Sequence, residues 1–162
     1  MIYEEIVKWY MQSDVKREIV DFSLDRWVAI HCEARDDKGS QLFFRYWKGE
    51  TPITIDSEED FENIFHKLRK YGPRTFYVTA NQYHRLHEVV DTMDLRNIKR
   101  CMPTWDIDNE FQKWKATIEV AKVIVEFLYQ YGIEKSVFVK WSGNGAHVHI
   151  NPMAFSDEVT TK

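Results

Sequence analysis

Apolar residues along the chain recur sometimes at helical and sometimes at strand spacing, and the changes of period mark its elements. Ile2, Ile6, Trp9 and Tyr10 keep a helical spacing over Met1–Met11, Glu4 and Glu5 favour a helix N-terminus, and Ser13-Asp14 breaks the pattern. Val15–Phe22 is short and mixed. Over Arg26–Glu33, Trp27, Ala29 and His31 alternate with Val28, Ile30 and Cys32, which predicts a strand buried on both faces. Leu42–Trp47 and Ile53–Ile55 read as a hairpin around Lys48-Gly49-Glu50. Ser57 with Asp60 three residues on predicts a helix N-cap, Phe61, Ile64, Phe65 and Leu68 supply that helix's apolar stripe, and Gly72-Pro73 stops it. A strand follows over Thr75–Thr79, then a polar stretch expected to be helical from Gln82 to Met93.

The most ordered pattern runs from Thr104 to Ile150: strand, helix, strand, hairpin. Its long amphipathic segment, Phe111–Tyr131, carries Trp114, Ile118, Ala121, Val125 and Leu128 at helical spacing, with Val120, Ile124 and Phe127 widening the stripe, and Gly132 ends it. Val137–Trp141 is a strand, and Asn151-Pro152 closes the last one. Without repeats, low-complexity tracts or linkers, these elements predict an α/β (α+β) sandwich with a mixed sheet. It forms a single domain over residues 1–162, an α/β unit of about 1–100 followed by a motif-bearing unit of about 101–155.

Composition narrows the classes. The 162 residues, 44% hydrophobic and 15% aromatic, suffice for a sizeable core. A net charge of −4 supplies no global attraction for polyanions, so any nucleic acid must meet a local patch. Cys32 and Cys101 lack the spacing of a cysteine-built zinc site, and a reduced, cytoplasmic protein is the expectation. No apolar run reaches the roughly 20 residues that span a bilayer, so no membrane partner is expected.

Chemistry concentrates at the ends of the Thr104–Ile150 segment. Strand alternation puts Asp106 and Asp108 on one face, their Cα atoms about 6.6 Å apart, close enough for both carboxylates to serve one hard cation or bridge two. The same alternation sets His147 and His149 together. Ser142-Gly143-Asn144-Gly145 fits two descriptions. One is a hairpin turn; the other is a backbone nest whose amides and Ser142 hydroxyl meet a phosphate.

Two motifs together resemble the archaeo-eukaryotic primase-polymerase superfamily, in particular the catalytic small subunit of DNA primases. Asp106-Ile107-Asp108 is similar to its first motif and Ser142-Gly143-Asn144-Gly145-Ala146-His147 to its second. Val15–Ile19 and Gly72–Thr79 are similar to segments upstream of them. The resemblance implies a catalytic core with an RRM-like βαββ unit, incomplete at its C-terminus, and synthesis or extension of primers with two divalent metals. Asp106 and Asp108 would be catalytic and hold two Mg²⁺ or Mn²⁺ ions, with no zinc. Ser142, Gly143, Asn144, Gly145 and His147 would hold the incoming nucleoside triphosphate. Expected partners are nucleoside triphosphates, a DNA template and primer, and a large primase subunit or another replication or repair protein. Lys140 and His149 have no assigned role.

The pattern departs from the family in one respect. A third metal-binding aspartate is expected on a later strand, and the last twelve residues offer only Asp157, in an unlike context. Either the chain is the N-terminal part of a longer protein, or it is a short relative with an incomplete site and little activity by itself. Two other readings stand beside nucleotidyl transfer. One is a metal-dependent nuclease or phosphoesterase built on Asp106, Asp108, His147 and His149; the other is a non-catalytic nucleic-acid-binding module that keeps the fold. Lys67, Arg69, Lys70, Lys99 and Arg100 are candidate nucleic-acid contacts, or else ordinary solvated charge at helix and loop ends.

Overall fold

The computed structural model describes residues 3–110, 112–142 and 145–156. The fold is mixed α and β, in two compact units, Met1–Lys99 and Arg100–Lys162. The first begins with helices α1 (Tyr3–Tyr10) and α2 (Ser13–Ser23), followed by strands β1 (Val28–Arg35), β2 (Gln41–Phe44), β3 (Tyr46–Trp47) and β4 (Thr51–Pro52). Helix α3 (Glu58–Leu68) and strand β5 (Pro73–Val78) follow. The Ser57 Oγ cap accepts from Asp60 N at 3.0 Å, and Phe61, Ile64, Phe65 and Leu68 are all buried. Gly72, at φ 65°, turns the chain out of the helix into β5. Tyr10, Phe61, Phe65 and Phe76 pack ring to ring under the sheet, their centroids 5.0–6.1 Å apart. Within that core, burial pushes the Cys32 thiol up to about 11 and keeps it protonated.

Four expectations give way. Ser13-Asp14 does not end helical structure; it opens α2, with the short break confined to Met11-Gln12. The predicted mixed sheet is instead two three-stranded sheets, β2-β1-β5 and one in the second unit, antiparallel throughout. The predicted hairpin survives only as the two-residue ladder β3–β4, because β2 pairs with β1 instead.

The fourth is the predicted helix over Gln82–Met93. That region holds a short strand, β6 (Asn81–Tyr83), and 3₁₀ turns at Val89–Thr92 and Leu95–Asn97, before β7 (Ile98–Cys101). The cause is Asp91. Its buried carboxylate accepts from His87 N at 2.9 Å, Glu88 N at 3.0 Å and Arg85 Nε at 2.7 Å, while Asn97 Nδ2 donates to the Arg85 and Asp91 carbonyls. These local side-chain bonds replace the helical ladder.

The second unit contains β8 (Thr104–Asp108), α4 (Trp114–Gln130), β9 (Val137–Trp141) and β10 (Gly145–Ile150). The sheet order β8-β10-β9 inserts the last strand between the two that α4 connects, a split β-α-β arrangement. Helix α4 covers one face, where Ile107, Ala121, Leu128, Ala146, Val148 and Ile150 form the core. Trp114, Val120 and Phe127 do not join it: they are about half exposed, because a helix lying on one sheet buries only a narrow arc.

Hydrogen bonds from His87 and Glu88 amides hold the Asp91 carboxyl below the usual carboxylate range, with Arg85 adding to the effect. A depressed folded-state value means stabilisation that is present above the unfolded value of about 4 and lost as pH falls through the folded one. Asp91→Asn should therefore lower the melting temperature at neutral pH and remove part of the wild-type decline below about pH 4. Thermal melts across that range check it, and identical curves for the two proteins would show that this lock is idle.

Candidate functional site

The second unit's sheet has two chemically distinct faces because of one register. On β8, Ile107 enters the core while Asp106 and Asp108 stay exposed on the other side. On β10, Gly145 lies opposite Asp108, His147 opposite Asp106 and His149 opposite Thr104. On β9, Lys140 faces His147 and Phe138 faces His149. Directly paired residues share a face, so the two aspartates, both histidines, Lys140 and Phe138 all project away from α4.

His147 Nε2 lies 3.1 Å from Asp106 Oδ1, with 34% of the histidine side chain and 70% of the aspartate exposed. The carboxylate orients the imidazole, and most of its own surface stays open to solvent. His149 behaves differently. It is buried, its Nδ1 is 2.9 Å from Thr104 Oγ1, and its ring stacks on Phe138 at 4.9 Å between centroids. Sequence spacing pairs the two histidines, but only His147 faces solvent.

Gly145 sets how closely the motif strands approach. A Cβ there would lie 2.4 Å from the Ile107 carbonyl oxygen, so only glycine lets β10 lie against β8 at this point. Ser142 N donates to Gly145 O at 2.9 Å and closes the hairpin next to Asp108. Gly143 and Asn144 lie outside the described residues, so the nest they were expected to form is not described, and the same holds for Asp157. One support escaped the sequence reading. Thr117 Oγ1 donates to Asn109 Oδ1 at 3.0 Å, anchoring the residue after Asp108 to α4. The signal was a threonine interrupting the helix's apolar stripe.

The candidate basic contacts fall into two groups. Lys67, Arg69 and Lys70 are exposed around the end of α3, with Lys67 Nζ 3.6 Å from the centre of the Trp47 ring. Lys99 pairs with Asp25 at 2.7 Å, and Arg100 Nη1 donates to the Pro152 and Phe155 carbonyls at 3.3 and 3.1 Å, so both contribute to structure. A cleft of about 380 Å³, lined by Ile118, Ala121, Val125, Val139 and Trp141, lies on the α4 side of the sheet, away from the aspartates.

Among the described residues, no three His, Cys, Asp or Glu side chains come together as a ready-made metal cage. Asp106 and Asp108 nonetheless offer exposed oxygen donors of the kind a hard divalent cation takes alongside water and ligand oxygens. The chain matches no protein-family model and no curated protein.

Gly145→Ala should cost about 1–3 kcal/mol, since the added methyl meets backbone and cannot be relieved by a rotamer change. Urea unfolding at neutral pH measures it. A midpoint unchanged from wild type would mean that β10 does not approach β8 this closely.

Proposed function

We propose that this chain is a nucleotidyltransferase of the primase-polymerase type, acting on nucleoside triphosphates at a nucleic-acid primer and template. The observation that carries the reading is the pairing of Asp106 with His147 on adjacent strands, with Asp108 beside the Ser142–Gly145 hairpin, all on the face opposite α4. Two carboxylates and an imidazole donor thereby share a solvent-facing surface, next to a serine hydroxyl and a tight hairpin.

Asp106 and Asp108 would hold Mg²⁺ or Mn²⁺, which when bound neutralises phosphate charge in phosphoryl transfer. The remaining roles belong to the chain itself. Asp108, at the hairpin end of β8, presents its carboxylate beside the loop proposed for the triphosphate. Asp106 keeps His147 Nε2 in place at 3.1 Å, which holds the imidazole on the open face where a phosphate oxygen would be met. Ser142, exposed at the end of β9, adds a hydroxyl donor. The burial of His149 supports this division over a four-ligand nuclease cluster, because it removes one of the four ligands from the exposed face.

Calorimetric titration with a nucleoside triphosphate tests the reading. His147→Ala should weaken binding about tenfold with or without metal, the loss of one charge-assisted hydrogen bond. Asp108→Asn should weaken only the metal-dependent part. Primer extension and strand cleavage, measured on the same labelled oligonucleotide, distinguish the chemistries. Incorporation abolished by Asp106→Asn supports nucleotidyl transfer. Triphosphate affinity indifferent to both substitutions, or cleavage that requires His149, would overturn it.

A further inference from the structure

The first unit's sheet carries a group of rings on its outer face that its core does not use. Val28, Ile30, Leu42, Phe44, Phe76 and Val78 turn toward that unit's core. Alternation therefore sends Ala29 and His31 from β1, Phe43 from β2, and Thr75 and Tyr77 from β5 to the opposite face, with Arg45 continuing the β2 side. The register builds two rows. Phe43, His31 and Thr75 lie side by side, and Ala29 lies opposite Tyr77. Carried one residue on, the β1–β2 register sets Arg45 across from Ala29.

The rings are close and open to solvent. Phe43 is 43% exposed and Tyr77 50%. Phe43 meets Tyr77 edge to face at 5.7 Å and His31 at 5.9 Å, and the Arg45 guanidinium sits 5.0 Å from the Phe43 centroid. Ala29, the small residue between Arg45 and Tyr77, leaves a low floor between a cation and a ring.

We propose that this face binds single-stranded nucleic acid, with bases stacked on Phe43 and Tyr77 and a backbone phosphate met by Arg45. Its composition selects that occupant. The paired positions of this face present rings, a cation and small polar groups, with Ala29 the only aliphatic side chain, whereas a surface for apolar protein or lipid would be rich in aliphatics. Flat rings beside a guanidinium suit unpaired bases joined by phosphates, and a duplex keeps its base faces covered. The nearby Glu33 carboxylate is taken up by Arg74 at 2.7 Å, which reduces its repulsion of a phosphate. With a net charge of −4 the attraction is local, so stacking provides most of the affinity and salt dependence is shallow.

The test is fluorescence anisotropy of the full chain with labelled oligothymidylate and a duplex of equal length, without metal or triphosphate. Under those conditions the outcome does not depend on Asp106 or Asp108 holding an ion. The single strand should bind more tightly than the duplex. Phe43→Ala and Tyr77→Ala should each weaken binding about tenfold, with circular dichroism and melting unchanged, and Tyr77→Phe should retain it. Arg45→Ala should lower the salt slope by about 0.7, one phosphate contact. Wild-type binding by the Phe43→Ala, Tyr77→Ala double variant, or equal affinity for duplex, would overturn the proposal. So would a wild-type chain that self-associates in sedimentation and a double variant that does not, with oligonucleotide binding unchanged, which would assign the face to a second copy of the chain.

Discussion

The close approach of Gly145 to the Ile107 carbonyl governs the second unit, because it fixes the register in which β10 lies against β8. In a strand pair every side chain's face follows from that register, and a slip of one residue reverses all of them. With the observed pairing, Ala146, Val148 and Ile150 meet Ile107 under α4, and His147 meets Asp106 in the open. Shifted by one, the valine and isoleucine would face water and two histidines would enter an apolar layer. The same contact thus keeps the core intact and the candidate site assembled.

Both three-stranded sheets use the freedom that antiparallel pairing allows, with one face packed on their unit's core and the other turned away from it. In the second unit the free face bears carboxylates and an imidazole; in the first it bears Phe43, Tyr77, His31 and Arg45. Several polar groups that go inside have partners. Arg26 donates to the Thr79 and Ala80 carbonyls at 2.8 Å, Asn97 to the carbonyls around Asp91, and Thr104 meets His149. Leaving these groups unpaired would subtract from a small net stability.

How far the sequence could be read depended on the range of the interactions involved. Ser57 as a cap, Phe61–Leu68 as a buried stripe, Gly72 and Gly132 as stops, and the strand carrying Asp106 and Asp108 all follow from contacts within a few residues. Propensity and periodicity record such contacts directly. The polar stretch after β5 departs from its predicted helix because its local bonds run from side chain to backbone around Asp91, and hydrophobic period carries no trace of them.

The sequence by itself determined that Asp106 and Asp108 share a face, that His147 and His149 share another strand's face, and that a glycine-rich hairpin precedes them, since alternation is a property of any single strand. Which strand neighbours which was decided only in three dimensions. Inserting β10 between β8 and β9 put His147 against Asp106 and left His149 buried beside Thr104, and in the other sheet the central place of β1 brought Phe43 of β2 within ring contact of Tyr77 of β5. Trp114, Val120 and Phe127, on the stripe that periodicity predicts as core, stay exposed because α4 lies on a single sheet. A residue's period fixes the side of its own element that it occupies. What lies against that side depends on pairing between segments far apart in the chain, which local pattern does not encode.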